Sequence, residues 1–118
     1  MSYVDGFVIP VAKNKVAAYK RMAEQGKKTW MKHGAVQYFE CVADDMKVFP
    51  GCGDFKKLAK LKGNETVFFS FIVFKSKAHR DAVNKKVMAD PAMGTMPKSM
   101  PFDPKRMAYA GFKTLVEG

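Results

Sequence analysis

Thr66-Val67-Phe68-Phe69-Ser70-Phe71-Ile72-Val73-Phe74 is almost wholly β-branched or aromatic, a composition that suits the pleated, packed surface of a strand. A sheet with one face in water alternates apolar and polar residues. This strand does not. Phe69, Phe71 and Val73 point one way, while Phe68, Ile72 and Phe74 point the other. Both faces are apolar, so both need cover.

Working outward, Tyr3 to Val11 reads as a first strand, with Pro10 marking its end. A helix is predicted from about Asn14 to His33, because Val16, Tyr19, Ala23, Gly26, Trp30 and His33 recur at steps of three and four. Gly26 in its interior implies close packing or a kink, and Gly34 supplies a left-handed residue to end it. Ala35 to Ala43 reads as a second strand. Asp44 to Gly53 is turn-rich, and Asp54 to Leu61 fits a short helix or an edge strand equally.

After the Phe-rich strand, Ser76 is a natural N-cap for a helix from Lys77 to about Ala89. Ala78, Ala82, Val83 and Val87 are its expected inner face. Pro91 closes it by pushing Asp90 out of helical geometry. Pro91 to Pro104 reads as an ordered loop, and Lys105 to Val116 as the last strand. The order is β-α-β-β-α-β over a single domain, residues 1–118. That predicts an α+β, ferredoxin-like sandwich: an antiparallel sheet with two helices on one face. Those helices cover one apolar face only. Each large side chain left in water on the other would forgo roughly 1.5–3 kcal/mol. A second copy packed sheet to sheet is the simplest cover, giving a homodimer; the proline-rich loop is the main competitor.

Composition narrows the class. The chain has 118 residues, and 21 Lys and Arg against 11 Asp and Glu give a net charge of +10. The lysines are scattered between apolar helix positions, which fits a solvated outer face better than a nucleic-acid tract. The apolar run Val67 to Phe74 is far too short to span a bilayer, and Met1 to Gly6 opens no export signal; the cytoplasm is expected. Cys41 and Cys52 form no Cys-x-x-Cys pair and read as reduced thiols. With His33 and His79 far apart, neither a metal site nor a cofactor is expected.

Tyr3-Val4-Asp5-Gly6-Phe7, Gly34-Ala35, Glu40-Cys41, Asp44-Asp45, Asp54-Phe55, Val67-Phe68-Phe69-Ser70-Phe71, Ser76-Lys77, Arg80-Asp81, Val87-Met88-Ala89-Asp90-Pro91, Met100-Pro101-Phe102-Asp103 and Lys105-Arg106-Met107 resemble the YbaA-like proteins, a bacterial family of unknown function. The resemblance runs nearly end to end. It implies the dimeric α/β-barrel superfamily, in which two ferredoxin-like subunits pack their sheets together, and it transfers no activity. Two features depart from the family pattern: the Met46 to Gly53 loop is longer, and Val42 stands where an aromatic is common.

No Ser-His-Asp arrangement, phosphate-binding glycine loop or metal motif is present, so no catalytic residue is assigned. Candidate ligand-binding residues are Asp5, His33, Tyr38, Glu40 and Arg106. A carboxylate in an apolar strand needs a partner. Asp5, Glu40 and Arg106 therefore form a candidate set, with Arg106 gripping an anionic group; a structural ion pair fixing strand register is the stronger reading. His33 shares a face with Trp30 and is a conceivable base, though a helix C-terminal role is the plainer one. The leading function is small-molecule binding in an apolar pocket between sheet and helices, with Tyr38, Glu40 or His33 as its polar residues. The alternatives are an RNA-binding module with the strand order of the RNA-recognition motif and a non-catalytic structural dimer. No reaction or ligand is written in the sequence.

Overall fold

The computed structural model describes residues 1–95 and 99–118; within the Pro91–Pro104 segment, residues 96–98 lie outside the described set. The elements are β1 (Tyr3–Ala12), α1 (Val16–Lys32), β2 (Gln37–Val42), α2 (Phe55–Leu58), β3 (Glu65–Phe74), α3 (Lys77–Ala89) and β4 (Ala108–Lys113). One four-stranded sheet has the order β2-β3-β1-β4, and all its pairings are antiparallel. Among the described residues, no helix is long and apolar enough to cross a membrane.

Register fixes which side chains share a face. Asp5 pairs with Ile72, Phe7 with Ser70 and Ile9 with Phe68, while Tyr38 pairs with Ile72 and Glu40 with Ser70. That face carries the core. Ile9, Val11 and Phe68 pack with Tyr19 and Ala23 of α1. Ile72 and Phe74 pack with Ala35 and with Val83 and Val87 of α3. On the opposite face lie Val4, Val8, Phe39, Phe69, Phe71 and Phe112. Phe39, Phe69 and Phe112 are exposed there, and Phe69 and Phe112 line a groove of about 420 Å³. Of the described residues of the proline-rich segment, Met93 and Phe102 pack against the core on the helix side, as does Met107 beyond it.

Several boundaries differ from the sequence reading, each for a local reason. Pro10 does not end β1, which continues to Ala12. β4 pairs with β1 only as far as Val8, so the missing N–H of Pro10 falls where that ladder has stopped. The last strand starts at Ala108, not Lys105, because Asp103 caps a 3-10 turn over Pro104–Arg106. A 3-10 turn over Lys13–Lys15 likewise precedes α1. Asp54 accepts from the Lys56 N–H, which selects the short helix α2 over an edge strand. In α3, Ser76 caps through the His79 N–H and Asp90 is extended. Ala78 and Ala82 are exposed, however, leaving Val83 and Val87 as the inner face. Gly34 ends α1 at φ 108°.

Candidate functional site

Glu40 and Tyr38 are two residues apart on β2 and so project from the same face, toward α1. Ser70 stands opposite Glu40 on the neighbouring strand. Tyr19 reaches down from α1, its ring 4.1 Å from that of Phe68. Three of these side chains converge on the fourth, the Glu40 carboxylate. The Tyr19 hydroxyl donates to Glu40 Oε1 at 2.7 Å, the Ser70 hydroxyl donates to the same oxygen, and the Tyr38 hydroxyl donates to Oε2 at 2.8 Å. Burial and the negative charge of Glu40 push both phenols well above their ordinary value of 10.0, so they stay protonated donors.

The cluster forms one wall of a cavity of about 230 Å³ between sheet and helices. The remaining lining is apolar, including Phe7, Ile9, Met22, Met93, Phe102 and Met107. A second groove, of about 420 Å³, shares Ala23, Tyr38 and Glu40 with the cavity and is also lined by Lys20, Glu24 and Lys27. Glu40 thus faces both an apolar interior and a path to solvent. A concave apolar chamber with a few convergent polar groups is the usual form of a small-molecule site.

The other sequence candidates lie elsewhere. Asp5 is buried and pairs with Arg80 of α3, whose Nη1 donates to Oδ1 at 2.8 Å. Arg80 also donates to the Tyr109 hydroxyl and lies 5.0 Å from the Tyr3 ring centre. Asn84 donates to Asp5 Oδ2 at 3.4 Å and accepts from Trp30 Nε1, which ties α1, α3 and β1 together. Arg106 pairs with Glu65 and donates to the Lys60 carbonyl, clipping the start of β3. His33 meets Asp90 at 2.7 Å, joining the ends of α1 and α3. Asp5, Glu40 and Arg106 are therefore three separate contacts. Tyr38 and Glu40 share the cavity.

Sequence reasoning placed Tyr19 on the buried helix stripe and Ser70 in the Phe-rich strand without giving either a polar task. The available signal was Ser70 itself, the lone hydroxyl in an apolar run on a face that also holds Glu40. Among the described residues there is no group of three or more His, Cys, Asp and Glu side chains suited to a metal. Cys41 and Cys52 are exposed and unpaired.

Comparison with known proteins gives a consistent answer. The family described as "Protein of unknown function (DUF1428)" matches residues 2–104. The "Uncharacterized protein YbaA" of Escherichia coli (strain K12) is 43% identical over 120 residues, covering 99% of each chain. The protein of the same description from Shigella flexneri matches equally. Among solved structures, the "De novo designed protein Foldit4" aligns at a TM-score of 0.49 with 11% identity, covering 97% of this chain and 99% of that one.

Proposed function

The chain belongs to the DUF1428 family of proteins of unknown function, and we propose that it is a small-molecule-binding protein whose site is the cavity at Glu40. The observation that carries this reading is the coincidence of an apolar chamber with a single carboxylate ordered by three hydroxyls. A carboxylate resists burial, and here it is kept beside an apolar space rather than replaced by packing. The occupant is an apolar molecule of modest size with one polar group directed at Glu40.

The finer architecture follows the same reading. The strand order β2-β3-β1-β4, with α1 and α3 on one face, supports a ferredoxin-like sandwich. The apolar outer face supports a homodimer closed sheet to sheet, as in a dimeric α/β barrel. From Val67 to Val73, that face carries Phe, Val, Ala, Gly, Pro, Gln and Cys but no Lys or Arg on any of the four strands. Phosphate contacts need cationic side chains, so the face suits a second copy better than RNA. Two exposed free thiols suit a reducing compartment such as the cytoplasm.

The test is a thermal-shift screen of small apolar molecules against the wild type and Ala23→Leu, a change that fills the cavity wall beside Glu40. Hits that stabilise the wild type but not the folded variant support the site. Hits that stabilise both equally, or no hit at all, remove it.

A further inference from the structure

We infer that the cavity selects a hydrogen-bond donor, and specifically an apolar amine in its protonated form; this rests on the cavity reading above. The argument is an inventory of protons. Among the described residues, the polar side chains at the chamber wall carry three hydroxyl hydrogens, those of Tyr19, Tyr38 and Ser70, and all three are committed to Glu40. The indole N–H of Trp30, which also lines the chamber, is committed to Asn84. Among the described residues, the remaining lining side chains are apolar and have no O–H or N–H to offer. What the wall presents to an occupant is therefore acceptor capacity. A carboxylate offers about four lone-pair sites, of which three are taken, and each phenol and the serine hydroxyl keep oxygen lone pairs.

A ketone, ether or ester entering this chamber finds no uncommitted side-chain donor among the described residues unless it takes a hydroxyl away from Glu40. That exchange strips a charged acceptor of a bond and replaces a charge-assisted bond with a neutral one. A carboxylic acid anion meets Glu40 as a like charge. An alcohol donates to Glu40 without disturbing anything. An ammonium does the same and adds opposite charge, which Glu40 otherwise lacks: among the described residues it has no cationic partner within salt-bridge distance. Phe7, Tyr19, Trp30, Tyr38 and Phe102 line the space, and aromatic rings there favour a cation through cation–π attraction.

Calorimetric titration with four compounds of one shape tests this: phenethylamine, phenethyl alcohol, benzyl methyl ether and phenylacetate. The expected order of affinity is amine, alcohol, ether, phenylacetate, with the amine roughly tenfold or more tighter than the ether, as a charge-assisted bond implies. In Glu40→Gln, checked by circular dichroism for retained fold, the amine's advantage over the ether should collapse to within about threefold, since the carboxamide is uncharged and supplies donors. An ether or phenylacetate that binds as tightly as the amine overturns the ligand class and leaves the cavity standing as a site. Failure of all four to bind overturns the cavity reading and the class with it. The wild-type ranking decides the matter even where the variant does not fold.

Discussion

The Tyr38 hydroxyl lies 2.9 Å from the place a Cβ on Gly26 would occupy. A glycine inside a helix costs about 1 kcal/mol relative to alanine, so α1 gives up helix stability to bring Tyr38 over Glu40. Alanine at Gly26 would normally recover that energy. Here it forces a half-buried ring whose oxygen is already tied to Glu40, so Gly26→Ala should destabilise by about 1–2 kcal/mol. In a Tyr38→Phe background the obstructing oxygen is gone and the ring carbon Cζ stands at 3.7 Å, an ordinary contact. There the same substitution should stabilise by up to about 1 kcal/mol. Urea unfolding of the four proteins reads the cycle; Gly26→Ala with one sign in both backgrounds would contradict the packing role.

Alkaline pH probes the same cluster through its protons. Burial first, and the charge of Glu40 second, raise Tyr19 and Tyr38 above 10.0. The folded state holds these protons where the unfolded state releases them. Their contribution to stability is full below pH 10 and declines as pH rises beyond it. The urea midpoint of the wild type should therefore fall above pH 10, and the Tyr19→Phe, Tyr38→Phe double variant should show a shallower fall. Tyr109 is also raised, by burial and by Asp5, so some slope remains. An unchanged slope in the double variant would mean the two phenols ionise as freely folded as unfolded.

Much of this architecture is legible in one dimension because it rests on short-range periodicity. The Phe-rich run declares a strand by alternation, and Ser76 and Gly34 declare helix ends through local backbone chemistry. Where the sequence misleads, the deciding partner is distant or the competing signal is equally local. Pro10 stops a strand only if a neighbour needs its N–H, and that depends on where β4 ends. Lys105 joins a strand by pattern, but Asp103 and Pro104 form a capped turn first. At the site, Glu40 stands out as a carboxylate in an apolar strand. Its donor Tyr19 is 21 residues away and looks like core. Asp5 needed a cation, but which one depends on the packing of α3: Arg80, 75 residues along, rather than Arg106.

Acid stability should depend on Asp90, where the ends of α1 and α3 meet. The Ala92 N–H, then His33, then Lys32 lower its carboxyl from 3.8 to about 2. A carboxyl depressed in the folded state stabilises above its unfolded value and loses that contribution as pH falls through the folded one. The window is thus from 3.8 down to about 2. Asp90→Asn should lower stability at neutral pH and flatten the acid limb across that window. Glu65, lowered chiefly by Arg106, sustains part of the remaining slope. An acid limb identical to wild type would mean these contacts to Asp90 do not persist in solution.

The outer face makes the most exacting demand on the fold. Phe39 and Phe71 stack with ring centres 4.8 Å apart, and Phe69 meets Phe71 at 6.1 Å and Phe55 of α2 at 6.5 Å. Even so, Phe69 is 50% exposed and Phe112 57%. Among the described strand residues of this face, between Val67 and Val73, none is charged to keep copies apart, on a chain whose net charge is +10. Phe69→Glu places a carboxylate in the middle of that surface. In a sheet-to-sheet dimer two such charges would be buried without partners, at a cost of several kcal/mol. In a lone subunit the new side chain simply meets water, so folding survives. Light scattering should then give the mass of two chains for the wild type and one for Phe69→Glu, with matching circular dichroism. A wild type that scatters as a single chain would leave the Phe-rich strand with its second apolar side in water and would end the dimer proposal.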